Sequence, residues 1–407
     1  MRKELGIFIL LVVLCTLVSI MNPRFISGIN LSNIANLVGM FGIFSIGVGL
    51  VIITGGIDLS VGSTFALAGV LLAMALREWN VPWPVATILI VLFPMTLGAI
   101  HGFLVTVVKM QAFIVTLCGL LLYRGLAQYV AGNMTKGFGS CEGFETLKHL
   151  ASGRLYEVMD ESGKLVFPGV PNSFILLIII AVIMWIVLHR SVYGRYVMAV
   201  GRNEEAARYS GISTRLVIAS TYIIAGVLTG ISAVLFAFYT NSVTPSTHGN
   251  FYELYGIAAA VLGGCSLRGG EGSVIGIIIG AALIQILQNF VNLLGIPSSL
   301  NFAVMGAVIL LGVMGEQSGD FIRLLRKTKL AKSLSKNLAL WQGMRWGSWI
   351  LILAGLGLII FYAIQFRSTK ELSVYFFCGF LLAGLGVLTW YITAPAQDEW
   401  ESGAAAN

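Results

Sequence analysis

The sequence predicts an all-α fold, a polytopic transmembrane helical bundle of about ten core spans with a parallel internal repeat and a C-terminal two-helix hairpin. Three observations carry that prediction. Of 407 residues, 57% are hydrophobic and 11% charged, where a soluble domain carries roughly 25% charged residues. The apolar residues fall into runs of the order of 20, the length a helix needs to cross the hydrocarbon core. The Lys and Arg residues gather in a few connections between those runs, which is the distribution that sets orientation in a membrane.

The first run, MRKELGIFILLVVLCTLVSI, has a basic start and an apolar core, but MNPRF comes next instead of a small-x-small cleavage site. It reads as an uncleaved span over 4–21. Further spans are expected over 35–54, 62–77, 83–107, 112–131, 173–189, 216–239, 252–264, 273–294 and 298–315. Several are short or interrupted by Gly, as in bundles whose helices break beside a pathway. Together they form a permease-like core over 1–320, with a basic linker over 321–345 after it. Two more spans, about 346–365 and 373–391, make an accessory hairpin with its tail in 346–407.

The segment 190–215 carries Arg190, Arg195, Arg202, Arg208 and Arg215, and Arg323 to Lys336 is basic as well. Both are expected on the cytoplasmic side, with a cytoplasmic N-terminus and the long polar loop 132–172 outside. In that loop RLYEVMDESGKLVF alternates apolar and polar residues around Ser-Gly, the pattern of a small strand pair. The alternative is a solvated connector. The formal charge of +7 is explained by orientation and does not call for nucleic acid. Five cysteines, an odd number, and four scattered histidines give neither a disulfide framework nor metal-ligand spacing, so no metal site is expected.

GGIDLSVGS at Gly55 to Ser63 resembles GGCSLRGGEGS at Gly263 to Ser273; each ends an apolar run and opens another. The likeness predicts two matching broken-helix elements facing one pathway. The first contains Asp58, a carboxylate between apolar stretches, where a charge is costly. It has three readings: a cap on a helix beginning near Leu59 or Ser60, a partner for a basic group such as Arg268, or a direct solute ligand. The first is preferred, because Gly55 and Gly56 allow the break and a helix start offers free N–H groups. With Ser60, these residues form one candidate lining of a translocation pathway.

On IIGAALIQILQNFVNLLGI, residues Gln285, Gln288, Asn289 and Asn292 recur at spacings of three and four, placing amides on one helix face. Gln285, Asn289 and Asn292 are candidates for a pathway suited to an uncharged polyol, since amides both donate and accept. Equally, they are amides bonding one helix to another. Arg124, near a membrane end, is expected to snorkel and is given no role.

AVGRNEEAARYSGIST, Ala199 to Thr214, predicts a short surface helix. Asn203 is its N-cap, Glu204 and Glu205 lie in its first turn, Ala206 and Ala207 keep one side small, and Gly211 stands where a C-cap belongs. A helix that short buries little on its own, so it is expected to enter a groove on another protein.

At this point the chain resembles a known family. NEEAARYSGI is similar to the coupling-helix motif of ATP-binding-cassette import permeases. Together with TGGIDLSVGS and LGGCSLRGGEGSVIG it resembles the branch serving ribose and related monosaccharides, over roughly residues 5 to 320. The 132–172 loop is longer than that branch suggests, and the hairpin is an addition. No G-x-x-x-x-G-K-[ST] pattern occurs in the chain, so ATP is expected on another polypeptide. The resemblance implies a permease without its own ATPase site or cofactor, in a plasma (inner) membrane. It also implies a cytoplasmic ATPase subunit holding ATP and Mg, a periplasmic or lipid-tethered sugar-binding protein, and a second permease copy or paralogue. Alternatives are an ion-coupled transporter using Asp58, or the same permease type carrying nucleosides, branched-chain amino acids or a quorum-signal sugar. An intramembrane enzyme would want clustered His, Asp or Cys inside the spans, which the sequence lacks.

Overall fold

A computed structural model of the chain describes residues 2–139, 141–159 and 165–295, and Gly306. The expected span over 298–315, the linker 321–345 and the hairpin 346–407 lie outside the described residues apart from that glycine. Packing divides the chain into two units, Met1–Asn289 and Phe290–Asn407.

The helices are α1 Arg2–Met21, α2 Gly28–Ile53, α3 Val61–Arg77, α4 Trp83–Thr106, α5 Ala112–Ala131, α6 Phe144–Ser152, α7 Asn172–Trp185, α8 Val192–Arg202, α9 Glu204–Tyr209, α10 Thr214–Thr240, α11 Tyr252–Leu262 and α12 Val274–Leu293. A π-helical turn over Ile186–Arg190 prolongs α7. The helical bundle expected from hydropathy is therefore present, and the chain is a multi-pass membrane protein. Among the described residues six helices are long and apolar enough to cross a bilayer, while α3 and α11 are shorter. At 1.5 Å per residue α11 reaches only about 16 Å, half of a hydrocarbon core of about 30 Å. The expected full span over 252–264 is thus a half-length helix entered from a loop.

Burial sorts the helices into layers. The apolar window of α2 is 94% buried and that of α10 72%, against 28% for α4 and α5. Thus α2 is the central post, and the outer helices turn Ile88, Leu92, Phe103, Leu121, Leu122, Ile179 and Ile183 outward, as lipid-facing helices do. Helices α4 and α10 cross through Gly98 and Gly102 on one and Gly226 and Gly230 on the other. A Cβ on Gly98 would overlap the Tyr222 carbonyl oxygen, and one on Gly226 the Pro94 carbonyl. Two small-xxx-small faces thus meet backbone to backbone, gaining dispersion contact where lipid supplies no hydrophobic drive.

At one end of the bundle the described residues of the 132–172 loop are folded. Its short strands are β1 Lys136–Gly137, β2 Arg154–Leu155, β3 Val158–Met159, β4 Leu165–Phe167 and β5 Val170–Pro171, with β6 Ser242–Val243 after α10. The β3–β4 antiparallel pair lies where RLYEVMDESGKLVF predicted one, β2 pairs with β5, and β1 with β6. Phe138 stacks on Phe238 at 4.4 Å, and Lys136 Nζ lies 2.5 Å from Glu78 Oε1. The loop is thereby packed onto the ends of α3 and α10. At the opposite end of the bundle are α8 and α9.

Candidate functional site

Helix α2 stops at Ile53, and Gly55 takes φ +82° to turn the chain. Residues 57–60 then lie outside any helix until α3 begins at Val61. Asp58, 7% exposed, accepts from the Ser60 backbone N–H at 2.9 Å and from the Ser60 hydroxyl at 2.7 Å. It therefore stabilises a local Asx-type turn before the helix. Ser60 occupies the N-cap position without a side-chain cap bond. The acceptor at the Gly62 N–H comes from far along the chain: it is the carboxylate of Glu253 in the first turn of α11. A Cβ at Gly62 would overlap Glu253 Oε2 and the Gly249 carbonyl, so only glycine admits this approach.

Arg124 completes the arrangement, and the expectation that it snorkels is corrected here. Its Nη1 donates to the carbonyls of Pro245 at 2.9 Å and His248 at 2.7 Å, and its Nη2 to the Gly62 carbonyl at 3.3 Å. It stands about 10 Å from the end of α5, and its fork turns inward because the Pro245 and His248 carbonyls, lying outside regular ladders in an apolar setting, require donors. Glu253, also within its field, balances the charge. One guanidinium thus ties the start of α3 to the loop that leads into α11.

Two further contacts cradle the break. The Thr116 hydroxyl donates to the Ile57 carbonyl at 3.1 Å, and Tyr123 Oη lies 2.9 Å from His101 Nε2 beside Ser60. On the other side Tyr252 packs among Phe41, Phe44, Phe65 and Phe236, with ring centroids 4.7 to 6.1 Å away, an apolar wall of closely packed rings.

The amide stripe divides by partner. Asn289 and Asn30 exchange side-chain hydrogen bonds of 2.8 and 3.1 Å, and Gln288 bonds the Tyr255 hydroxyl. Both pairs fit the reading of amides as links between helices. Gln285 differs: it is 1% exposed, and neither amide atom has a hydrogen-bond partner among the described residues. Asn292 lies in the second unit, on the last turn of α12.

At the other candidate, α9 is built as its sequence suggests. The Asn203 side chain accepts from the Ala206 N–H at 2.9 Å. Gly211, at φ +84°, donates to the Arg208 carbonyl, and Ile212 donates to that of Ala207, the two bonds of a Schellman close. Ala207 is buried, and Thr214 donates to Glu204 at 3.2 Å, holding α9 against the start of α10. Glu205 and Arg208 remain exposed, as do Tyr209 at 83% and Leu216 at 72%.

Residues 30–313 match the family model described as branched-chain amino acid transport system / permease component. The chain belongs to that permease family. The resemblance drawn from NEEAARYSGI and the two glycine-rich breaks is thereby borne out. The permease is 39% identical over 313 residues to "Ribose import permease protein RbsC" of Bacillus subtilis (strain 168), covering 77% of this chain and 92% of that one. It is 36% identical over 307 residues to the protein of the same name from Escherichia coli (strain K12), covering 75% and 91%. To "Autoinducer 2 import system permease protein LsrD" of Enterobacter sp. (strain 638) it is 30% identical over 312 residues, covering 77% and 92%. No solved structure matches it.

Within the permease, sequence reasoning finds Asp58, Ser60 and the amide stripe but misses Arg124, Glu253 and the exposed Tyr209. A signal for the first two exists, since an arginine and a glutamate deep in apolar runs are costly unless they meet. Spacing alone does not say that they meet. Tyr209 is visible as an aromatic on a helix too short to bury it.

Proposed function

We propose that this chain is the membrane-spanning permease subunit of an ATP-binding-cassette importer. It passes a monosaccharide such as ribose, delivered by an extracytoplasmic binding protein, through the cell's plasma (inner) membrane. ATP and Mg reside on a separate cytoplasmic ATPase subunit, and a second permease copy or paralogue completes the pair. In this reading 190–215 faces the cytoplasm and 132–172 faces outside, in keeping with the arginines of the former. The observation that carries the proposal is α9. It is capped at both ends and pinned to α10 by Glu204, and it leaves Glu205, Arg208 and Tyr209 exposed, with Leu216 exposed in the first turn of α10. A rigid helix of this kind, seated in a cleft of the ATPase, moves as a body when nucleotide closes that cleft. Asn203, Glu204, Glu205, Ala206, Ala207 and Gly211 are its coupling residues.

The sugar route is assigned to the break at Gly55, Gly56, Asp58 and Ser60 and to the amide face of α12 at Gln285, Asn289 and Asn292. Gln285 is its strongest member, because an unpaired buried amide costs about 1–3 kcal/mol and a passing hydroxyl offsets that cost. Replacing Gln285 by leucine should therefore leave the melting temperature unchanged or raised while lowering uptake several-fold. Asn289→Leu should instead lower stability by about 1 kcal/mol, through loss of the Asn30 pair. Thermal melts in detergent alongside uptake in cells separate the two; if Gln285→Leu destabilises and leaves uptake intact, Gln285 is a packing residue.

The coupling assignment is tested by reversing Glu204 and Glu205 to lysine. Insertion should be normal, and sugar-stimulated ATP hydrolysis in the reconstituted complex should fall at least tenfold, since reversing the charge of the docking helix disturbs its charge complementarity with the cleft. Wild-type assembly and wild-type stimulation would remove the coupling role from this loop.

A further inference from the structure

The end of α8, one residue before the N-cap of α9, does not merely lead into the coupling helix. It is wedged between the two glycine-rich breaks. A Cβ on Gly201 would overlap the Ile53 carbonyl oxygen and stand 2.5 Å from the Gly270 nitrogen. The Gly270 N–H itself donates to the Ile53 carbonyl at 2.8 Å, joining the turn of the second break to the last residue of α2. Gly269 and Gly270 take φ of +84° and +78°; a Cβ on the former would lie 2.7 Å from the Gly201 oxygen and 3.0 Å from the Gly55 nitrogen, and one on the latter 2.9 Å from the Arg202 Cα. Three backbones from α2, α8 and the α11–α12 connection thus meet, with only the Cβ of Arg202 beside them.

The members of this contact are themselves stiff. The turn of the second break is closed by Gly269 N–H to the Ser266 carbonyl at 2.9 Å and by Ser266 N–H to the Glu271 carbonyl at 3.1 Å. At the start of α8 the Ser191 hydroxyl oxygen accepts from the Gly194 N–H at 3.1 Å, and a Cβ on Gly194 would overlap the Leu188 carbonyl. Side chains hop among rotamers, but backbone in van der Waals contact with backbone has no such slack.

We propose that Gly201 and Gly270, closed on the Ile53 carbonyl, form the joint through which the coupling loop drives both broken-helix elements together. They are positioning residues: neither touches solute nor ATPase, and the joint stays closed while α8, the end of α2 and the second break move as one piece. The proposal rests on the coupling reading of α9 and adds where its motion enters the membrane. A single joint explains why two breaks distant in sequence share glycines at their contact, and it makes their displacements equal in timing.

The test has two arms, both on the full complex with its ATPase and binding protein. In the first, hydrogen–deuterium exchange of the 266–272 segment is measured on the unaltered chain, without nucleotide and with Mg and a non-hydrolysable ATP analogue. The joint predicts equal, strong protection in both states; protection lost in either means that the Gly270 to Ile53 bond opens, and overturns it. In the second, Gly201→Ala forces the joint apart. Sugar transported per ATP hydrolysed should fall at least tenfold while the ATPase still co-purifies and hydrolyses ATP. An inserted Gly201→Ala protein with a wild-type ratio overturns the proposal, and should that variant not insert, the exchange arm decides. If reversal of Glu204 and Glu205 has no effect, the coupling reading fails at its source. If that reversal uncouples and Gly201→Ala does not, the joint alone is wrong.

Discussion

Replacing Gly226 by leucine is expected to abolish the folded protein, with a cost of at least about 3 kcal/mol. The side chain would begin where the Pro94 carbonyl already is, 2.9 Å from the Met95 Cα, and backbone cannot step aside as a flexible side chain can. Relief requires α4 and α10 to separate along their crossing, which forfeits contact at Gly98, Gly102 and Gly230 together. Gly125→Leu on α5 is the control. A Cβ there meets nothing within 4 Å among the described residues, and leucine is a better helix former than glycine by somewhat less than about 1 kcal/mol. Melting followed by fluorescence in detergent should show no folded transition for Gly226→Leu and an unchanged or raised midpoint for Gly125→Leu. A folded Gly226→Leu protein would mean that the two helices do not cross at these glycines.

Arg124→Met should cost about 3 kcal/mol, because three carbonyls lose a charged donor and such bonds contribute about 1.5–3 kcal/mol each before relaxation recovers part of the loss. The loss has two parts. The carbonyls of Gly62, Pro245 and His248 forfeit a donor, and the buried Glu253 carboxyl group loses the field of the guanidinium. Adding Glu253→Gln should restore about 1–3 kcal/mol, because a neutral amide oxygen still accepts from the Gly62 N–H without carrying a buried charge. Arg124→Lys should fall between, since an ammonium supplies charge but not a fork that spans three carbonyls. If the single and double variants melt alike, Arg124 and Glu253 are not coupled.

The part of this architecture legible in the sequence is the local part. An uninterrupted apolar run such as FILLIIIAVIMW in 173–189 specifies its helix because hydrophobicity alone decides it, and the β3–β4 pair and the α9 caps are set by neighbours a few residues away. Asp58 stands out in the sequence as a costly charge and is buried, yet its partner is Ser60, two residues on, and the helix it was expected to cap receives an acceptor from Glu253. That exchange is not readable, because α3 and α11 are far apart in sequence and meet only through tertiary packing. Arg124 escapes for the same reason: its distance from the helix end allows snorkelling, and only the fold places carbonyls in need of a donor inside. The amide stripe lies between these cases. Its face follows from spacing, whereas the division between bonded Asn289 and unpaired Gln285 depends on what stands opposite.

The measurement that bears most directly on the account is uptake of labelled ribose into liposomes carrying this permease. The chain would be reconstituted alone, with its ATPase, and with ATPase and binding protein together, each with ATP and Mg on the cytoplasmic face. The account predicts uptake only with all three components, lost when ATP is replaced by a non-hydrolysable analogue and insensitive to collapse of ion gradients. Solute movement by the chain alone, driven by a proton or sodium gradient and abolished by Asp58→Asn, would contradict it.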